Sequence, residues 1–107
     1  MATDRATEHA TFRVLDAMPA PHGGRILRLR LQSGNAPAVH DLKGARMRAV
    51  SPDGEAETTL RVDGFAVFGG RATDERFART GRIDVHITQD DGTEPVGLRW
   101  EVTGPLR

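Results

Sequence analysis

The sequence predicts an all-β fold, a small closed or partly open barrel of about six mostly antiparallel strands. Three observations point there. Apolar and polar residues alternate with period two in several short segments, the spacing that puts successive side chains on opposite faces of a strand. Gly, Pro and Asp turn signals separate those segments. No stretch carries a convincing helical pattern three turns long. Closure is favoured because it removes exposed strand edges. At 107 residues the chain fits one domain, with residues 1–8 expected as a flexible polar tail and residues 9–107 as the barrel.

The elements follow in order. Phe12 and Val14 face one way and Arg13 the other, the opening of a first strand. PAPHGG, residues 19–24, has the composition of a turn. RILRLRLQ, residues 25–32, is the clearest strand, with Leu27, Leu29 and Leu31 on one face and Arg28 and Arg30 on the other. Residues 33–44 read as a long loop around Gly34 and Pro37. ARMRAV, residues 45–50, alternates again, placing Met47 opposite Arg46 and Arg48. SPDGE, residues 51–55, is a turn in which Pro52 presets φ and Asp53-Gly54 accepts positive φ.

Next comes TTLRVDGFAVFGG. Leu60 and Val62 share a face. A bulge at Asp63-Gly64 is expected to switch the phase, sending Phe65 and Val67 inward and leaving Phe68 outward beside Gly69 and Gly70. RATDERFARTG, residues 71–81, is expected as a polar loop or at most one helical turn around Asp74 to Ala78. RIDVHI, residues 82–87, puts Ile83, Val85 and Ile87 inside and Asp84 and His86 outside. QDDGTEPVG is a loop, and LRWEV, residues 98–102, is a last strand with Leu98, Trp100 and Val102 on one face. The expected core is therefore Phe12, Val14, Leu27, Leu29, Leu31, Met47, Leu60, Val62, Ile83, Val85, Ile87, Leu98 and Trp100.

Composition narrows the function classes. Fifteen basic and fifteen acidic residues cancel, which argues against a generally basic nucleic-acid binder. All the basic residues but Lys43 are arginine, a skew expected of a high-GC coding sequence, so a single arginine says little. Without cysteine there is no disulfide, thiolate zinc site or thiol nucleophile. No apolar run approaches the roughly 20 residues of a bilayer span, and MATDRATEHA lacks the apolar region of a secretory signal. A cytoplasmic protein is the expectation.

The order FRVLD, GGRILRLRLQSG, LKGARMRAVSP, VDGFAVFGG and ARTGRIDVHI resembles the second, β-barrel domain of translational GTPases of the elongation factor Tu type, over about residues 12–88. The turn glycines Gly24, Gly34, Gly44 and Gly81 stand where that family marks its strand boundaries. The resemblance implies a barrel fold and a non-catalytic module. In the family this barrel packs against the nucleotide domain and helps hold aminoacyl-tRNA. Here there is no GTPase domain and no GxxxxGK[ST] loop, and the third strand is rich in arginine.

Candidate chemistry is sparse. FGGR lacks the strand-to-helix setting and the GxGxxG spacing of a phosphate loop, so a strand exit is the plainer reading. The histidines His9, His22, His40 and His86 show no close ligand spacing. Asp84 and His86 share one strand face and could recruit Glu101 from a neighbouring strand, the arrangement a small hydrolase or metal-dependent enzyme would need. No cofactor, metal or catalytic set is expected, because no apolar pocket surrounds these residues in the sequence.

Charge is nonetheless uneven: residues 25–50 carry +5 and residues 84–101 carry −4. If the strands at 25–32 and 45–50 are neighbours, Arg28, Arg30, Arg46 and Arg48 form a stripe fit for an RNA or tRNA backbone. The plainer reading pairs those arginines with the acidic late strands or with Glu55 and Glu57. The leading expectation is a non-catalytic module for protein contact or self-association. Phe68, Gly69 and Gly70 form its candidate contact, and a second copy or another protein is its partner.

Overall fold

Leucines 27 and 29, alternating with arginines, become buried positions on a strand whose other face is wet, and the same division recurs around the whole molecule. The computed structural model describes residues 10–21, 23–66, 73–89 and 95–106. Within them the chain runs β1 (Ala10–Pro19), β2 (Arg25–Ser33), α1 (Val39–Leu42), β3 (Arg46–Val50), β4 (Glu57–Phe65), α2 (Asp74–Thr80), β5 (Arg82–Gln89) and β6 (Glu101–Gly104). The six strands close into a barrel in the order β1-β2-β5-β4-β3-β6, and every neighbouring pair is antiparallel. Closure gives every strand a hydrogen-bonded neighbour on both sides.

The interior is filled by the inward set of each strand: Phe12 and Val14, Leu27 and Leu29, Met47 and Ala49, Leu60 and Val62, Val85 and Ile87, and Val102. Each buried aliphatic of this size contributes about 1.5–3 kcal/mol of transfer free energy. The SPDGE turn forms as its residues require. Ser51 Oγ donates to Asp53 Oδ1 at 2.6 Å, and the same carboxylate accepts the Glu55 N–H at 2.9 Å. Gly54 takes φ +76°. These two bonds, Ser51's first, hold Asp53 below the ordinary carboxylate pKa.

The expected bulge is present. β4 and β5 pair Val62 with Ile87, then Gly64 with His86, so Asp63 is the extra residue. The phase changes there as expected: Leu60 and Val62 are buried, and Phe65, opposite Val85, packs against the core from the far side of the bulge. Val67, expected inside, and Phe68, Gly69 and Gly70 lie outside the described residues.

Four expectations need correction. First, residues 74–80 form a two-turn helix where at most one turn was expected. Thr73 caps it by accepting the Arg76 N–H at 3.2 Å, and Gly81 ends it at φ +70°. Its single buried residue, Phe77, stacks on Phe12 with ring centroids 5.9 Å apart. Second, the loop after β2 contains the short turn α1, which buries Leu42. Third, Leu31 is only partly buried; it lies near the end of β2, where its N–H pairs with Gly81 O at 2.6 Å.

The fourth correction concerns Leu98, expected in the core and found 57% exposed. Arg99 adopts φ +69°, which breaks the alternation, and β6 starts only at Glu101. Arg99 N–H donates to Val14 O and Val14 N–H to Trp100 O, both at 2.9 Å. Two consecutive residues thus face one on β1, the count that defines a bulge. Trp100 still turns inward, and Val96 joins it in the core.

Candidate functional site

The outer wall is organised in rows that run across the strands. On β1, β2 and β5 the register places Asp16 opposite Arg28 and Arg28 opposite Asp84. Arg28 grips Asp84 with both arms of its fork, Nε to Oδ1 at 3.0 Å and Nη2 to Oδ2 at 3.3 Å. That bond and the Asp84 charge raise the Arg28 pKa above its ordinary value. On the far side, Arg48 Nε lies 2.7 Å from Glu57 Oε2. For Arg28 and Arg48, therefore, the plainer sequence reading holds: each is engaged by a carboxylate on a neighbouring strand.

The arginine stripe is not assembled. Arg28 and Arg30 sit on β2 and Arg46 and Arg48 on β3, and two strands separate β2 from β3 in either direction around the barrel. The four arginines occupy opposite walls. Arg46 instead stands opposite Arg61 of β4. Arg30 stands between Arg13 of β1 and Arg82 of β5, directly opposite both.

Topology also separates the acid/base candidates. Asp84 and His86 share the outer face of β5, whereas Glu101 lies on β6, with two strands between in either direction, opposite Arg13. His86 has other company, supplied by the bulge. Its Nδ1 lies 3.5 Å from Asp63 Oδ2, and its Nε2 lies 3.0 Å from the Gly23 carbonyl. A carbonyl only accepts, so Nε2 carries the hydrogen of that bond.

Asp63 also accepts the Thr88 hydroxyl at 2.5 Å and Arg61 Nε at 2.9 Å. These donors, Thr88's first, hold the Asp63 carboxyl below the ordinary carboxylate pKa. The cluster fastens the β1–β2 turn to the wall. Gly24, at φ +75°, comes so close that a Cβ would sit 2.5 Å from Ile87 O and 3.3 Å from the His86 ring. Among the described residues no group of three His, Asp or Glu side chains converges as a metal site.

The displaced Leu98 forms the remaining feature. Leu98 immediately precedes the Arg99–Trp100 bulge, and Leu15 immediately follows Val14, the residue that bulge faces. Both leucines point to solvent, Leu15 at 37% exposure. Sequence reasoning missed this pair because unbroken alternation assigns Leu98 to the inner face. The signal that would have found it, a positive φ at a non-glycine residue, is not written in residue type.

No protein-family model, curated protein or solved structure matches the chain. Among the described residues no helix is long and apolar enough to cross a membrane.

Proposed function

We propose that this barrel is a non-catalytic module that acts by contacting protein, a second copy of itself in the first instance. The observation that supports it is the exposure of Leu15 and Leu98 on either side of the Arg99–Trp100 bulge, two of the three large aliphatic side chains turned to water among the described residues, Leu106 being the third. Exposed leucines met singly need no explanation. A pair at a bulge, with Leu98 more than half exposed, offers an apolar anchor of the kind that fills a partner's pocket.

Charge supports the same reading, since a surface of mixed sign can set register between copies. So does the resemblance to the translational GTPases, where such a barrel works against a partner domain. Phe68, Gly69 and Gly70, outside the described residues, are the second proposed contact. A cytoplasmic setting belongs to the proposal and rests on the charge-rich composition.

The test is the oligomeric state of the full chain by sedimentation velocity at high micromolar concentration. A wild type that self-associates and a Leu98→Glu variant that does not are the expected results. Leu98 is exposed, so the substitution should leave the fold intact. A dimer that survives Leu98→Glu but is lost in Phe68→Glu moves the contact to residues 68–70. A strictly monomeric wild type refutes self-association.

A further inference from the structure

We infer that the outer face of β1, β2 and β5 carries a phosphate-backbone site for single-stranded nucleic acid, built on Arg13, Arg30 and Arg82. The three belong to adjacent strands and lie in one cross-strand row, Arg13 opposite Arg30 and Arg30 opposite Arg82. All three are exposed. At about 4.8 Å between strands the row spans roughly 10 Å.

Like charges directly opposite one another on a sheet oppose folding. The same three strands show how the repulsion is ordinarily avoided. Two residues along β2 and β5, and three along β1 across the irregularity at Leu15, the row reads Asp16, Arg28, Asp84, with the arginine between two carboxylates and bonded to one of them. In the arginine row no side chain makes an ion pair among the described residues; the nearest carboxylate in register is Glu101, opposite Arg13 at one end. An arginine-rich composition explains the abundance of arginine but not its stacking in a single row. A bound polyanion would remove the repulsion, and the planar guanidinium fork fits phosphate oxygens two at a time.

The occupant follows from the surroundings. A closed barrel has no strand edge onto which an acidic peptide could add by main-chain pairing. The row is flanked by Thr11 and Ser33 on one side and by the Asp16–Arg28–Asp84 row on the other, with Leu15 exposed between Arg13 and Asp16, so among the described residues it offers charge and one aliphatic contact but no exposed aromatic ring. Contacts of that kind position a backbone and do not read bases. A single row on a convex wall meets one strand, and three arginines engage about three phosphates.

The experiment is fluorescence anisotropy of a labelled oligo(U) with the full chain across a salt series. For three neutralised phosphates on a single strand, log affinity should fall with log salt at a slope of about −2, so that affinity weakens about 20-fold between 50 and 200 mM. Arg30→Glu should abolish binding at 50 mM. Its thermal midpoint should stay level or rise, because a carboxylate then separates two arginines. Should Arg30→Glu fail to fold, Arg30→Gln is read instead, with a slope shallower by about 0.7. Arg46→Glu, on the opposite wall, should bind as wild type.

Four results overturn the inference. They are no anisotropy change at 50 mM salt, equal loss in Arg46→Glu, competition by poly-glutamate as strong as by oligo(U), and binding of tripolyphosphate without binding of oligo(U). Leu98→Ser, which removes the leucine without adding charge, should leave RNA binding unchanged, so the site stands or falls apart from self-association.

Discussion

Replacing Phe77 by alanine tests how α2 is held to the barrel. A seven-residue helix is far below the roughly 12–15 residues at which a helix persists alone in water, so docking must supply its stability. Phe77 is the buried residue of α2, 2% exposed and stacked on Phe12 at an interplanar angle of 17°. Truncating a buried phenylalanine costs about 3–5 kcal/mol through lost transfer free energy and the cavity left behind. The upper half of that range is expected here, since the ring stack is lost as well. Two further bonds depend on the docked helix, Leu31 N–H to Gly81 O and Val39 N–H to Asp74 Oδ1, both at 2.6 Å. Against a total of about 5–15 kcal/mol for a domain of this size, the variant loses about a quarter or more of its stability. Urea unfolding of wild type, Phe77→Ala and Phe77→Leu measures it, the leucine variant keeping more than half of what alanine loses. A loss below about 1 kcal/mol for Phe77→Ala would refute the claim that this ring anchors α2.

Two further outcomes follow. Asp63 has its folded pKa depressed by Thr88 and Arg61, so the stability it contributes is fully present above the unfolded carboxylate pKa and is lost as pH falls through the lower folded value. Asp63→Asn should therefore be less stable than wild type at pH 7, and the gap between their urea midpoints should shrink on acidification toward pH 2.5; a gap independent of pH would show that the carboxylate is not held ionised. Arg99→Gly removes a side chain from a left-handed residue at φ +69° and should stabilise the protein by up to about 1 kcal/mol, the relieved strain outweighing the added chain entropy of glycine. A fall in the thermal midpoint would mean that the Arg99 side chain contributes more than its backbone strain removes.

What residue order alone determined was local. RILRLRLQ and RIDVHI became β2 and β5 with the inward faces their alternation assigned, because a strand's two-residue period is a property of the backbone at each residue. The Asp63-Gly64 bulge and the SPDGE turn were legible for the same reason: each is decided within a few residues, by a missing side chain or a hydroxyl and carboxylate in reach of nearby amides. Phe77 was not legible. One phenylalanine in a polar segment gives no periodicity, and its helix exists because Phe12, 65 positions earlier, receives it. Nor was the outward turn of Leu98, which depends on the backbone angle at Arg99.

The candidate sites were the least legible part, since a surface site joins side chains from different strands. The order β1-β2-β5-β4-β3-β6 put Arg28 and Arg30 on the wall opposite Arg46 and Arg48, and parted Glu101 from Asp84 and His86. It brought Asp63 to His86 and lined up Arg13, Arg30 and Arg82, neither of which follows from spacing along the chain. Alternation tells each strand which face is wet. Only pairing between residues far apart in sequence, selected by how the inner faces pack and the barrel closes, decides which wet residues meet.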